Sequence, residues 1–298
     1  MARKETQMRI QLLSFAALVL LTLCIWGYEK IATQPSKPMV QSGGSKINKS
    51  IDQNKPSDES LMLEQYIRLG LAAHDREWFG DDMVKAEKVL SSLAEKESWK
   101  LPRYKSERSG EVFARMTSPQ NLEFLRNRNL PFDVRFPQAL NYCQSSSQIL
   151  KLYVSAFLEK NVSDSELVEL MGAMFRISVV MLELVDEFLP TLNNDDPNYQ
   201  VRLKGLEQMK RGLAGIVGGG IQTLRESESY RVSELARLVA YMQEAFPLIV
   251  PRLLPGARLE TMTSLEKMQV DPNMKGLQPG LGELYLKIKI SLEKGKAP

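Results

Sequence analysis

The chain has 298 residues, of which 43% are hydrophobic and 25% are charged, a composition typical of a globular protein with one large domain or two small ones. The net charge of +3 comes from the start of the chain. Residues 1–50 carry seven Lys/Arg and two Asp/Glu, which leaves 32 basic and 34 acidic residues for the remainder. This near-neutral remainder gives no electrostatic basis for binding nucleic acid.

The N-terminus predicts a membrane anchor. Three basic residues precede an uncharged apolar run at 10–28, which is long enough to cross a bilayer. We therefore expect residues 1–9 in the cytoplasm, a signal anchor at 10–28, and the rest of a single-pass bacterial inner-membrane protein in the periplasm. Two alternatives stay open. One is cleavage after the run, although no A-x-A-like site follows it, and the other is lipidation of Cys24, although Leu23 stands where a small residue is expected.

Beyond the anchor, the sequence predicts a tether and one helical domain. Residues 29–58 are rich in Ser, Lys, Gln, Pro and Gly and contain little to bury, which is typical of a flexible tether. Residues 59–298 predict a single all-α extracytoplasmic domain, an irregular bundle of about seven to nine helices. With approximate bounds, the predicted helices cover residues 58–73, 81–97, 118–126, 137–160, 163–189, 197–228, 233–245, 255–268 and 281–293.

The most chemically varied stretch lies between the first two predicted helices and contains the only histidine of the chain. His74 and Asp75 could form an acid-base pair, with Arg76 and Glu77 beside them. No serine or cysteine nucleophile can be assigned to this pair from the sequence. A corner between helices, with Trp78 in the core and the charges outside, is the simpler interpretation. These five residues are candidates for an interaction site.

The segment from residue 98 to 160 combines a basic loop, an extended connection and a helix. The loop, 98–117, interleaves basic and aromatic residues and either faces an anionic partner or is simply solvated. Prolines at both ends predict an extended connection at 132–136. A helix then follows at 137–160, and the serines at 145–147 weaken its middle.

The next predicted helix, about 163–189, is apolar over most of its circumference and belongs at the centre of the bundle. Ser163 and Glu166 form a capping box at its start. Four of its charged residues, Glu169, Arg176, Glu183 and Glu187, follow one strip. A solvent-facing edge explains the strip, and a buried charged site built on Arg176 and Glu183 is the alternative.

Six glycines distinguish the helix predicted at about 197–228, and in a helix interior they would together cost about 5 to 6 kcal/mol relative to alanine. Gly205, Gly212, Gly215 and Gly219 share one narrow stripe, which predicts close packing against a neighbouring helix. With the preceding helix, this segment is expected to form a central hairpin. The glycine spacing does not match a phosphate-binding loop.

Two further features bear on the architecture and the chemistry. Pro247 and Pro251 are expected to end the helix that begins at 233, so that the chain turns a corner there. Asp195 and Asp196 could ligate a divalent cation together with Asp81 and Asp82, but the chain has no spaced metal-binding motif. The sequence therefore predicts neither a metal nor a cofactor.

The anchor, the tether and the lack of a catalytic motif together predict a membrane-anchored, extracytoplasmic helical interaction or scaffolding module. Its expected partners are the membrane, through residues 10–28, and another protein. The alternative is a protein that binds a hydrophobic ligand or lipid in a cavity lined by the glycine helix. A third hypothesis is an enzyme with its site near His74 to Glu77.

Overall fold

A computed structural model describes residues 77–107, 109–193, 195 and 199–294. Within these ranges the chain is helical and forms no strands, which confirms the all-α prediction. A four-residue helical turn, Glu123–Arg126, and several 3-10 turns join longer helices. Eight helices of the described part have eight residues or more: α1 Gly80–Glu97, α2 Gly110–Thr117, α3 Phe132–Leu158, α4 Asp164–Phe188, α5 Tyr199–Arg225, α6 Val232–Ile249, α7 Pro255–Val270 and α8 Gln278–Lys294.

The predicted N-terminal elements lie outside these residues. They are the anchor at 10–28, the tether at 29–58 and the helix at 58–73. Among the helices that the structure describes, none combines the length and the apolar character needed to span a bilayer.

The central element is α4, which packs against both α3 and α6. On one side α1 packs against α3, and on the other α8 packs against α6 and α7. The capping box predicted at the start of α4 is confirmed, because the N–H of Ser163 donates to the carboxylate of Glu166 at 2.7 Å. Most of α4 is buried around its whole circumference, as the apolar pattern predicts for the centre of a bundle.

The prediction of an extended connection at 132–136 is wrong, because α3 begins at Phe132 and continues through Pro137. Pro131 precedes the first turn, so only Pro137 removes a hydrogen bond within the helix. Long-range contacts offset this loss. The ring of Phe132 stacks on that of Phe188 at 5.4 Å, and the guanidinium of Arg135 is buried.

Pro247 is likewise accommodated inside a helix, contrary to the predicted break. The helix α6 runs to Ile249, and the chain turns only in the following 3-10 segment, Val250–Arg252. Phe246 and Ile249 on either side of the proline are fully buried. Their packing outweighs the single hydrogen bond that the proline removes. The predicted loop at 98–117 is also too long, since α2 occupies its last eight residues.

The glycine helix α5 packs against α4 at Gly220, whose Cα faces the rings of Phe175 and Phe246. A Cβ atom there would lie 3.0 Å from Cζ of Phe175 and 3.2 Å from Cζ of Phe246. The contact of α5 with α7 is more extensive than its contact with α4, so the central hairpin is only part of its environment. In the predicted glycine stripe, Gly205 and Gly212 are buried and Gly215 and Gly219 are half-buried. Close helix packing along that stripe stays a prediction.

Candidate functional site

Only two residues of the predicted His74 to Trp78 cluster lie in the described part of the chain, so the cluster stays a prediction. His74, Asp75 and Arg76 lie outside the described residues. Glu77 is exposed, whereas Trp78 is buried in the core and its backbone N–H donates to Oδ1 of Asn121 at 2.9 Å. Trp78 is therefore positioned to stabilise the start of α1 and has no accessible face for a ligand.

The acidic residues considered for metal binding are also used elsewhere or are exposed. The carboxylate of Asp81 accepts hydrogen bonds from the side-chain amides of Gln138 and Asn141, and that of Asp82 accepts one from the N–H of Phe79. Asp195 is exposed in a turn, and Asp196 lies outside the described residues. Among the residues that the structure describes, no group of three or more His, Cys, Asp or Glu side chains could hold a metal ion.

The charged strip on α4 divides into two separate environments. Glu183 is exposed and pairs with Arg126 at 2.9 Å. The side chains of Glu169 and Arg176 are only 12% and 19% exposed and lie 3.7 Å apart. The prediction of one solvent-facing edge is therefore wrong for Glu169 and Arg176, which contact Tyr241 of α6 and the last residue of α2.

We define the polar cluster as Glu169, Arg176, Arg237 and Tyr241. The hydroxyl of Tyr241 donates to Oε2 of Glu169 at 2.7 Å, and the guanidinium of Arg176 lies over the Tyr241 ring at 5.3 Å. Arg176 also donates to the backbone carbonyl of Thr117 at 2.9 Å. These contacts join α2, α4 and α6 through one carboxylate, one phenol and one guanidinium.

Arg237 extends the polar cluster towards the N-terminus of α4. It donates to the carbonyl of Ser165 at 3.0 Å, pairs with Glu234, and lies 3.9 Å from Glu169. Its guanidinium also lies over the ring of Tyr104 at 4.6 Å. The cluster thus contains charges of both signs in contact with one another, and it ties the loop before α2 to the bundle.

The electrostatics of the polar cluster favour a neutral phenol. Burial raises the pKa of Tyr241 to about 12, and the hydrogen bond to Glu169 and its negative charge act in the same direction, while Arg176 and Arg237 oppose them. A phenol with this pKa stays protonated at neutral pH and serves as a hydrogen-bond donor. The hydrogen bond from Tyr241 therefore suits a structural contact between α4 and α6 better than acid-base catalysis near pH 7.

A second ion pair stands at the start of α4. The carboxylate of Asp164 accepts hydrogen bonds from the backbone N–H of Arg231 at 2.7 Å and from its guanidinium at 2.8 Å. Burial alone would raise the pKa of Asp164, but the hydrogen bonds and the charge of Arg231 outweigh it and lower that pKa. This pair fastens the connection between α5 and α6 to α4.

The surface feature that the sequence analysis missed is an apolar face on the last two helices. We define the hairpin face as Leu259 and Val270 of α7 together with Pro279, Leu286 and Ile290 of α8. Leu259 is 69% exposed, Val270 77%, Leu286 55% and Ile290 41%. The sequence does carry a signal for it, because the aliphatic residues of α8 alternate as Leu284, Leu286, Ile288 and Ile290 and cannot all lie on one side of a helix.

Contacts between α7 and α8 determine the register of the hairpin face. The hydroxyl of Tyr285 donates to Glu266 at 2.5 Å, and a Cβ atom on Gly282 would lie 3.7 Å from Oε1 of Gln269. The helices are therefore antiparallel, and Leu259 lies at about the level of Ile290. The exposed aliphatic side chains consequently share the outer surface of one helical hairpin.

Comparisons of the chain with protein-family models, with curated proteins and with solved structures found no match.

Proposed function

We propose that this protein is a membrane-anchored, extracytoplasmic interaction or scaffolding module that binds its partner through the hairpin face. Residues 10–28 hold it in a bacterial inner membrane, and residues 29–58 separate the helical domain from the bilayer. The observation that carries the proposal is the exposure of four large aliphatic side chains on one outer surface. Removing such surface from water is favourable by about 25 cal/mol per Å², so a partner that covers it gains binding free energy.

The polar cluster supports an architectural role for the rest of the domain. Tyr241 and Arg176 both contact Glu169, and Arg237 pairs with Glu234. A charged side chain that serves as a binding group must exchange such internal partners for a ligand, at a cost in free energy. The cluster therefore favours a rigid scaffold that presents a surface.

The packing of α5 supports the binding of a hydrophobic ligand less well than it supports the interaction module. At Gly220 the rings of Phe175 and Phe246 lie edge to face, 5.1 Å apart, and occupy the space beside the glycine backbone. A cavity lined by this part of the helix would require both rings to move. Binding of an apolar ligand and an enzyme site near His74 stay predictions of the sequence.

Photocrosslinking of the full chain in its native membrane tests the proposed function. A photoreactive benzoylphenylalanine is introduced at Leu286 or Val270 on the hairpin face, and at exposed Val201 on α5 as the matched control. We expect adducts of defined mass from the two hairpin positions and none from Val201. Equal labelling at all three positions, or no adduct at any of them, would contradict an interaction surface on the hairpin.

A further inference from the structure

We infer that the hairpin face binds a second copy of this chain, with α8 of one copy antiparallel to α8 of the other across a two-fold axis. The inference rests on the proposed function in one respect, since it takes the hairpin face to be an interaction surface. It adds the identity of the partner and the register of the contact. Three properties of α8 and its surroundings lead to it.

The first property is that α8 has two apolar faces. Leu281, Leu284 and Ile288 point into the core and are fully buried. At about 100° per residue, Leu286 and Ile290 lie on the opposite side of the helix, together with Pro279. A helix that is apolar on both sides is typical of an element buried between two layers, and among the described residues, 77–294 with their gaps, only the inner layer is present.

The second property is a charge pattern that is complementary to itself. Glu283 and Lys287 lie along one edge of the outer face, with side chains 56% and 44% exposed, and they pair with each other within the helix at 2.8 Å. They are equally far before and after residue 285. An antiparallel copy with its axis at that level therefore places each Glu283 opposite the Lys287 of the other copy, and the two new ion pairs are equivalent.

The same axis also matches the apolar residues. Leu286 lies one position from the axis, so it meets its own copy at the centre of the contact. Pro279 lies six positions before the axis and Ile290 five positions after it, so each Ile290 lies beside the Pro279 of the other copy. One choice of register thus pairs both the charged edge and the apolar centre.

The third property is the extent and charge of the surface. Helices of 16 and 17 residues present an outer surface about 24 Å long and, with two helices side by side, about 18 Å wide. Each surface covers about 430 Å², so two copies bury about 860 Å² in total, which corresponds to a small, weak interface just under the roughly 1,000 Å² of a stable one. Four exposed glutamates and four exposed lysines border the face, so its rim carries charges of both signs, as a surface that pairs with its own copy requires: Glu260, Glu266, Glu283, Glu293, Lys267, Lys287, Lys289 and Lys294.

Disulfide crosslinking of the full chain in membranes tests the inference. In a background with Cys24→Ser, the Leu286→Cys variant brings the two introduced thiols together at the axis, and oxidation should link most of the protein as a dimer. Lys289→Cys is the matched control, because this exposed residue of α8 lies towards α7 and away from its own copy. The buried Cys143 is retained in both variants.

Charge reversal gives the second arm of the test. Added to the Leu286→Cys variant, Glu283→Lys places lysines opposite one another and should reduce the crosslinked fraction by about fivefold or more. Adding Lys287→Glu as well restores both ion pairs and should restore crosslinking. Thermal unfolding of each variant identifies any loss of crosslinking that is caused by misfolding. Val201→Glu, added to the Leu286→Cys variant, controls for a change of charge on an exposed apolar residue outside the hairpin face.

Three results would overturn the inference: equal crosslinking of the Leu286→Cys and Lys289→Cys variants, no dimer from either, or no rescue by the double charge reversal. Photoadducts from Leu286 with the mass of a different protein, in the absence of a disulfide-linked dimer, would refute the second copy and leave the interaction surface standing. If neither photoadducts nor a disulfide-linked dimer were found, the proposed function would be refuted as well.

Discussion

The ring of Tyr241 lies directly against the backbone of Gly172, so that a Cβ atom at residue 172 would stand 2.5 Å from Cδ2 of the ring. The Tyr241 hydroxyl is held by Glu169 three residues earlier on α4, so the ring cannot swing away without losing that hydrogen bond. Helices α4 and α6 can therefore approach each other this closely only because residue 172 has no side chain.

Replacing Gly172 with alanine should destabilise the domain by about 1 to 3 kcal/mol, because the added methyl group must displace the Tyr241 ring. Gly218→Ala is the matched control. Gly218 is exposed on α5, and a Cβ atom there meets nothing within 4 Å. The control should be stabilising by about 0.5 to 1 kcal/mol, since alanine favours a helix over glycine. Urea unfolding of both variants measures the difference, and equal midpoints would contradict this description of the helix contact.

The sequence predicted the central helix correctly because its signals are local. The apolar circumference of α4 and the pair Ser163 and Glu166 are visible within one helix and need no knowledge of the neighbours. At Phe132 the local signal failed. Prolines on both sides indicate a break, but the stacking partner Phe188 comes from the far end of another helix.

The polar cluster, too, could be predicted only as far as its signals lie within one helix. The spacing of Glu169 and Arg176 places them on one side of α4, and this could be predicted. Tyr241, which covers them, is 72 residues from Glu169 along the chain, and nothing in the local pattern indicates that contact. Burial of a charged strip depends on which helix packs over it, and that choice is made by the tertiary fold.

Arg135 should be one of the most sensitive charged positions in the domain. Its side chain is 2% exposed, donates to the carbonyls of Leu130 and Leu125 at 3.0 and 3.1 Å, and pairs with Glu187. Arg135→Met leaves the two carbonyls and the carboxylate without this donor. We expect a loss of about 2 to 4 kcal/mol in the free energy of unfolding, measured by urea denaturation, because the two carbonyls lose a charged donor that water does not readily replace.

Arg126 provides the control for Arg135. It pairs with Glu183, which lies on α4 as Glu187 does, yet the side chains of Arg126 and Glu183 are both about half exposed. Arg126→Met should cost about 1 kcal/mol or less, since water replaces the lost partner. A similar cost for the two substitutions would show that burial does not determine the contribution of Arg135.

The ion pair of Asp164 with Arg231 should make the domain sensitive to acid. The folded state lowers the pKa of Asp164, so its contribution is complete above the pKa of the unfolded chain and is lost as the pH falls through the lower, folded value. Asp164→Asn removes this contribution at every pH. The difference in stability between wild type and variant should therefore be largest near neutrality and should shrink below about pH 4.

Asp186 serves as the reference for this acid effect. It pairs with Arg252, but its side chain is 46% exposed, against 8% for Asp164. Asp186→Asn should change stability less at pH 7, since water replaces the partner of an exposed carboxylate. If the two variants lose the same stability at pH 7 and at about pH 3, the acid sensitivity has another origin.

Three tyrosines should make the domain unfold in alkali. Burial raises the pKa of Tyr142 and of Tyr241 to about 12, and it also raises the pKa of Tyr230. Because the folded pKa values exceed the unfolded value, the stabilisation is complete below about pH 10 and is lost as the pH rises through the folded values. Urea midpoints should therefore fall steeply between about pH 10 and 12, together with the appearance of tyrosinate absorbance.

In Tyr142→Phe, where the phenol that donates to the Met116 carbonyl is removed, the midpoint should be lower at neutral pH and should fall less in alkali. An alkaline fall as steep in this variant as in wild type would exclude Tyr142 as a contributor.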